Sequence, residues 1–279
     1  MPHVVVIPAG PGDEELGRVA DLVAAIARHE PRAPAAVLVV DDAPPRAWPH
    51  GTTVIPNPRR GRGIGTLGGT CAATFAGLAW AHAHHADAWV LRLDTDAAVI
   101  GPYAQRVEER LHPDDGILGS CHITCNGERR DVSAIAREVR RHARPLWAFV
   151  HPPRRPGYVR RAEPRTRAII KHAQQRGYAP GEHCIAAGCA ITAALIEAAA
   201  QRGWLAHPER YINQRLGDDM LLGAMCRAAG LQLKDATDIF GIAHRGLPDT
   251  PENLAKRGFA VVHEAKDPAV RRRLAEAAG

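Results

Sequence analysis

Short apolar runs alternate with longer stretches of helical spacing through the first half of the chain. Four runs have the length of strands buried in a sheet: residues 3–8, 35–40, 52–55 and 89–93. Between them, residues 16–27 carry apolar side chains at helical spacing, and residues 66–85 form an alanine-rich stretch typical of a helix. This alternation predicts an α/β fold with a doubly wound, mostly parallel sheet and helices on both faces.

The second half of the chain has a less regular pattern. A helix is predicted over residues 218–229, because it follows Gly217 and Gly230 stops it. The tail from residue 247 is charged. The other predicted elements are strands over 116–124, 183–192, 231–233 and 239–244, and helices over 193–202 and 268–278.

The composition is that of an ordinary globular protein, since 46% of the 279 residues are hydrophobic and 24% are charged. The longest weakly polar run, residues 185–200, is too short to span a membrane and contains Glu197. Acidic residues at 13–15 stand where a signal peptide would be apolar, so we expect a cytoplasmic protein. The six cysteines are then expected to be reduced, and their spacing lacks the C-x2-C pattern of zinc sites.

Positive charge is concentrated in one segment. The net charge of the chain is +6, whereas residues 127–171 contain 13 Lys and Arg against 4 Asp and Glu. Prolines within this segment preclude one long helix, so we expect an insertion or a mobile loop. The charge fits either a solvated surface or a positive rim that steers an anionic acceptor. No nucleic-acid-binding motif accompanies it, and nucleic acid is not an expected partner.

Asp94-Thr95-Asp96 directly follows the apolar run at 89–93. Alternate residues of an extended chain point to the same side, so both carboxylates can face one ligand where the strand ends. Two such carboxylates suit a hard divalent cation, which would neutralise a diphosphate. The triplet alone is also common in exposed loops, and its place at a strand end is what favours a metal site.

A second acidic pair, Asp41-Asp42, ends the run at 35–40. Asp42 can accept hydrogen bonds from a uracil imide or a ribose, or it can cap a turn. Residues 59–70, between the two acidic strand ends, combine arginines and glycines before a helix N-terminus. This pattern fits either a phosphate-binding loop or a flexible turn.

Four segments in this order resemble the nucleotide-sugar-binding half of GT-A fold glycosyltransferases: HVVVIPAG, VLVVDDA, PNPRRGRGIGTLGGTCAATFAGLAWA and WVLRLDTDA. They are most similar to the large inverting family that begins with a V-V-I-P strand and carries a V-D-D strand end. The resemblance continues in AGCA at 187–190 and in LGDDMLL at 216–222. It implies one structural domain with a nucleotide-sugar-binding half (1–112), an acceptor-binding half (113–246) and a C-terminal tail (247–279).

The resemblance implies transfer of a sugar from a nucleoside-diphosphate sugar, with a UDP-sugar favoured, to an acceptor hydroxyl by single displacement with inversion. Asp96 would ligate Mn²⁺ or Mg²⁺, Asp94 would face the metal or the ribose, and Asp42 would contact the base or ribose. Pro8, Arg62 and Gly63 would lie on the donor side, with Arg62 near the diphosphate.

The resemblance also implies a general base at Asp218 or Asp219, of which Asp219 is favoured. Aspartates at a helix start equally serve as caps, so that alternative stays open. Several GT-A enzymes complete the metal shell with a late histidine, and both His244 and His263 qualify by position.

Departures from the family pattern leave other functions open. VDDAPP replaces V-D-D-G-S, and no Q-x-x-R-W segment follows Asp219, which favours a single transfer over processive synthesis. A retaining mechanism remains possible on the same fold, and the sugar is not specified. A sugar-phosphate nucleotidyltransferase is one alternative, although its glycine-rich loop usually follows the first strand. A non-catalytic GT-A-like binding module is the other.

Overall fold

A computed structural model describes residues 1–43, 45–62, 65–143, 164–213, 216–243 and 246–278. Its main sheet has seven strands in the order β3-β2-β1-β4-β7-β6-β8, and β7 alone runs antiparallel to its neighbours. The mostly parallel α/β prediction is therefore confirmed. The strands are β1 (His3–Ala9), β2 (Ala36–Asp41), β3 (Thr52–Pro56), β4 (Trp89–Leu93), β6 (Asp115–Gly119), β7 (Gly188–Ile191) and β8 (Gln232–Asp235).

Helices cover both faces of this sheet because its buried strands present apolar side chains on both sides. Val4 and Val6 of β1 face one core cluster, and Val5 and Ile7 face the other. The helices are α1 (Glu14–His29), α2 (Gly65–His84), α3 (Ala104–Arg110), α4 (Ser133–Ala143), α5 (Pro164–Gln175), α6 (Ala193–Gln201), α7 (Asp218–Ala229), α8 (Pro251–Lys256) and α9 (Pro268–Ala277), with a 3-10 turn at Pro208–Tyr211.

A second, three-stranded sheet includes part of the tail. It has the order β5-β10-β9, formed by Ala98–Val99, Val261–His263 and Phe240–Ile242. The pairing of β10 with β5 is antiparallel, and its pairing with β9 is parallel. The strand at Val261–His263 was not predicted from the sequence, and it brings the tail back beside the residues that follow β4.

Two other expectations need correction. The described ends of the basic segment form helices α4 and α5, not a loop, because each buries side chains at helical spacing: Ala136, Val139 and His142 on α4, and Thr166, Ile169, Ile170 and Ala173 on α5. Residues 144–163 of that segment lie outside the described part of the chain.

The expectation of six reduced cysteines is wrong for two of them. Cys121 and Cys184 form a disulfide, and the other four cysteines are free and buried. The backbone explains the pairing, since Ile185 N donates to Ser120 O at 3.0 Å and holds the two segments side by side. Within the described residues, no helix has the length and apolar character that a bilayer span requires.

Candidate functional site

Two carboxylate-bearing segments meet where the parallel strands β1, β2 and β4 end at one edge of the main sheet. Asp94 and Asp96 follow β4, and Asp41 and Asp42 close β2. The antiparallel strand β7 begins at the same edge, since Asp94 N donates to Ala187 O at 3.1 Å. The topology thus gathers here residues that lie far apart in the sequence.

Asp94, Asp96 and His263 form a compact cluster at this edge. One ligand atom from each residue lies within 4.8 Å of the other two. His263 Nε2 is 3.1 Å from Asp96 Oδ1 and 3.9 Å from Asp94 Oδ2. The cluster is held by the backbone, because Ala265 N donates to Asp96 O at 2.7 Å.

The charge state of the cluster suits a divalent cation. Burial by itself would raise the pKa of Asp96, but hydrogen bonding and charge from His263, with Lys266, lower it overall. Asp96 is therefore anionic at neutral pH, as a metal ligand would have to be. Two carboxylate oxygens and one imidazole nitrogen fit Mn²⁺ in kind, and all three side chains are partly exposed to solvent.

Arg92 connects this cluster with the start of helix α7. It is fully buried on β4, where its Nη1 pairs with Asp94 Oδ1 and its Nη2 lies 3.0 Å from Asp218 Oδ2. Only the second oxygen of Asp94 therefore faces His263. The Thr74 hydroxyl also donates to Asp218 Oδ2, at 2.7 Å. Asp218 thus serves as a buried structural partner.

Asp219 has a different environment from its neighbour. Its side chain is one quarter exposed, its Oδ2 lies 3.5 Å from His183 Nε2, and its Oδ1 accepts from Met220 N at 2.7 Å. Burial raises the pKa of Asp219 above its ordinary value; His183 opposes this shift, and the Asp218 charge adds to it. Neither aspartate is the N-cap of α7, a position that Gly217 occupies.

His183 was not predicted as a site residue, because nothing in the sequence separates it from the chain's other histidines. It is almost fully buried, with Nδ1 2.6 Å from Gly181 O and Nε2 2.8 Å from Arg130 Nη2. Helix α7 approaches this segment closely at Gly223, where a Cβ would lie 2.9 Å from the His183 Cα. A glycine is therefore needed there to bring Asp219 beside His183.

The two aspartates at the end of β2 also differ. Asp41 accepts hydrogen bonds from Arg46 and, at 2.9 Å, from the Trp48 indole, so its role is structural. Asp42 Oδ2 lies 3.6 Å from Arg59 Nε, and its buried Oδ1 has no hydrogen-bond partner among the described residues. Burial raises the pKa of Asp42, which Arg59 partly offsets. An incoming N–H or O–H donor would satisfy that oxygen.

The structure gives few contacts, or none, for the other residues predicted for the donor and metal sites. Pro8 lies within β1 and is partly buried. Arg62 is exposed, and its Nε is 3.4 Å from Arg59 O. Gly63 and His244 lie outside the described residues, so of the two candidate histidines the structure describes His263 alone.

No protein-family model and no curated protein sequence matches this chain. Among solved structures, it is similar to galactosyltransferase LgtC in complex with donor and acceptor sugar analogues, at 15% identity and a TM-score of 0.45 over 98% of this chain and 83% of that one. It is also similar to an active-site mutant of LgtC, at 13% identity and a TM-score of 0.46 over 97% of this chain and 93% of that one. A third similar structure is the apo bifunctional glycosyltransferase WbbM, at 10% identity and a TM-score of 0.46 over 99% of this chain and 44% of that one. Similarity of this degree does not establish a family, so the function has to be argued from the site.

Proposed function

We propose that this chain is a metal-dependent glycosyltransferase of the GT-A type that uses a nucleoside-diphosphate sugar. The observation that carries the proposal is the cluster of Asp94, Asp96 and His263 at the carboxyl edge of the sheet. A doubly wound sheet binds its ligands at that edge, and a cation-binding group there suits a diphosphate. A bound Mn²⁺ or Mg²⁺ would supply positive charge that stabilises the departing nucleoside diphosphate.

On the donor side, Asp42 would bind the nucleoside. Its unpartnered, buried Oδ1 would accept a hydrogen bond from a base imide or a ribose hydroxyl. A uracil imide is such a donor, which favours a UDP-sugar. Arg62, exposed at the end of the 59–62 turn, would approach the diphosphate.

On the acceptor side, Asp219 would act as the general base. Its partly exposed carboxylate would take the proton from the acceptor hydroxyl as that oxygen attacks C1 of the sugar. The raised pKa of Asp219 makes it a better proton acceptor than an ordinary aspartate. Attack opposite the leaving group gives inversion, and the anomeric configuration of the product tests this choice against a retaining mechanism.

The acceptor would be anionic. Arg137, Arg140 and Arg141 are exposed on helix α4, which would belong with Asp219 to the acceptor-binding half. Exposed positive charge of this kind accelerates the arrival of a negatively charged acceptor and loses that effect in salt.

The first prediction concerns Asp96→Asn. The wild-type protein should be stabilised by UDP with Mn²⁺ by about 2.7 kcal/mol at a concentration of about 100 Kd, a rise of several degrees in Tm. Asp96→Asn should lose the Mn²⁺-dependent part of this rise, because the amide removes an anionic ligand. A thermal-shift series with nucleoside diphosphates, with and without Mn²⁺, measures both effects.

Asp238→Asn is the matched control, since Asp238 is an exposed aspartate paired with Arg110 away from the cluster. It should keep the full Mn²⁺-dependent rise. An Asp96→Asn protein with the wild-type response would refute the metal site.

Product analysis separates this function from the two alternatives. Slow release of UDP from a UDP-sugar supports the proposal. Pyrophosphate release from a sugar 1-phosphate and UTP would indicate a nucleotidyltransferase instead. Mn²⁺-independent UDP binding without hydrolysis of any donor would indicate a binding module.

A further inference from the structure

The C-terminal helix α9 carries a buried arginine, Arg271, directly behind the candidate metal cluster. Its side chain is 7% exposed, and the guanidinium points into the backbone, away from solvent. Its Nε donates to Ala265 O at 2.7 Å, and its Nη2 donates to Thr95 O and, at 3.4 Å, to Ala97 O. Its Nη1 donates to Arg18 O at 3.1 Å.

Three of these four carbonyl groups, those of Thr95, Ala97 and Ala265, belong to the two backbone segments that carry the candidate metal ligands; the fourth, that of Arg18, lies on helix α1. Thr95 lies between Asp94 and Asp96, and Ala265 lies two residues after His263. One guanidinium therefore joins the turn after β4 to the segment after β10. The same two segments are also joined directly by a backbone hydrogen bond, which Ala265 N donates to Asp96 O.

We propose that Arg271 is a positioning residue for the metal site, setting the separation between the Asp94–Asp96 turn and His263 without touching the cation. The inference rests on the proposed function, because it assumes that this cluster binds a metal. Metal sites tolerate errors of only about 0.2 Å in ligand distances. Loss of groups that orient ligands typically weakens metal binding about 10–100-fold.

The shape of the arginine side chain explains why a lysine would not serve here. A guanidinium offers five N–H donors in a planar fork, and here its three nitrogens reach carbonyl groups in three chain segments. A lysine amine has one nitrogen and cannot span them. Arg271→Lys thus keeps the charge while removing the bridge.

A purely structural role for Arg271 is the competing explanation. Its partners are backbone carbonyls, and the nearest carboxylate contact is Asp21 Oδ2 at 3.8 Å. If Arg271 only anchors helix α9, its replacement will lower the Tm and leave the Mn²⁺ affinity of the folded protein unchanged. Mn²⁺ affinity and Tm therefore have to be measured on the same variants.

A groove beside Arg271 allows chemical rescue. It has a volume of about 160 Å³ and lies between helices α1 and α9, lined by Leu22, Ala25, Leu274 and Arg271 itself. In Arg271→Ala, a free guanidinium ion can enter this groove and occupy the vacated position. About 20 mM guanidinium is far below denaturing concentrations.

The experiment titrates the 279-residue chain with Mn²⁺ alone and follows free Mn²⁺ by electron paramagnetic resonance. Arg271→Lys and Arg271→Ala should each bind Mn²⁺ about 10–100-fold more weakly than the wild type. Guanidinium should restore the affinity of Arg271→Ala, and methylammonium should not. The matched control is Arg273→Ala on the same helix, where Arg273 is exposed and pairs with Glu252, and its affinity should be unchanged.

The outcomes separate this inference from the function on which it rests. Wild-type affinity in folded Arg271→Lys and Arg271→Ala, or an equal loss in Arg273→Ala, overturns the positioning role while the metal site stands. A wild-type protein that binds no Mn²⁺ overturns the proposed function and this inference together. If Arg271→Ala does not fold, the comparison of Arg271→Lys with the wild type decides.

Discussion

At the scale of single residues, the adjacent aspartates Asp218 and Asp219 have different environments, which suit different roles. Asp218 is buried and bonded to Arg92 and Thr74, whereas Asp219 is partly exposed beside His183. A carboxylate that is already satisfied by buried partners cannot readily receive a proton from a substrate. Asp219 is therefore the better candidate for the general base. Asp218 is the better candidate for a structural role, through its contacts with Arg92 and Thr74.

Asp219→Asn should strongly reduce turnover while preserving donor binding. The amide keeps an oxygen for the Met220 N–H but cannot accept the acceptor's proton. Loss of general base catalysis typically costs about 10²–10⁴-fold in kcat. Steady-state kinetics and UDP binding, measured on one preparation, check both parts.

The pH dependence of the wild-type activity follows from the raised pKa of Asp219. In the wild type, kcat/KM should fall as pH drops through a pKa above the ordinary 3.8, because the base becomes protonated.

A raised pKa of Asp219 in the folded state also means that its ionised carboxylate lowers the stability of the fold at neutral pH, and that this cost vanishes below pH 3.8. Asp219→Asn should thus be at least as stable as the wild type at pH 7. A lower Tm with unchanged turnover would show that Asp219 is merely structural.

At the scale of elements, Arg92 couples strand β4 to helix α7. Replacing it by Met would leave the buried Asp218 carboxylate without its ionic partner. Removing one member of a buried pair costs about 3–5 kcal/mol. We expect a loss of that size in the free energy of unfolding, and a partial recovery when Asp218→Asn is added. Urea unfolding measures both.

Arg110→Met provides the comparison for Arg92→Met. Arg110 forms an exposed pair with Asp238, which is worth about 0–1 kcal/mol. Similar small losses in both variants would mean that the Arg92 pairs contribute little to stability.

The elements that sequence reasoning found are those whose pattern is local. Val4–Ile7 and Leu38–Val40 are completely buried runs, so their strands were predictable from apolar content alone. Strand β10 has three residues, and its partner β5 lies more than 150 positions earlier, so no local pattern marks it. Strand β7 is antiparallel to both of its neighbours, and no local pattern in its four residues marks that direction.

The candidate site shows the same division. The position of Asp94 and Asp96 was predictable because they follow an apolar strand. His263 could not be separated from His244 by sequence, since its approach to Asp96 depends on the small sheet. His183 and Arg271 act through burial against carbonyl groups and side chains distant in the chain. Nothing in their local sequence distinguishes them from surface residues.

At the scale of the whole molecule, the proposed metal would join two sheets. Asp94 and Asp96 follow β4 of the main sheet, and His263 ends β10 of the small sheet. Any opening that separates the sheets would then require release of the cation. Mn²⁺ at about 100 Kd should therefore lower the population of such open forms about 100-fold, because only the closed form binds it.

Hydrogen exchange followed by mass spectrometry tests this coupling. The amides of Ala97 and Ala265 bond to the backbone of Asp94 and Asp96, so peptides that contain them should gain the most protection from Mn²⁺. Peptides covering Thr52–Pro56, at the far edge of the main sheet, should not change. His263→Ala should lose the protection in both segments at once, since one missing ligand breaks the bridge. Protection confined to residues 94–97 in the wild type would mean that the small sheet takes no part in metal binding.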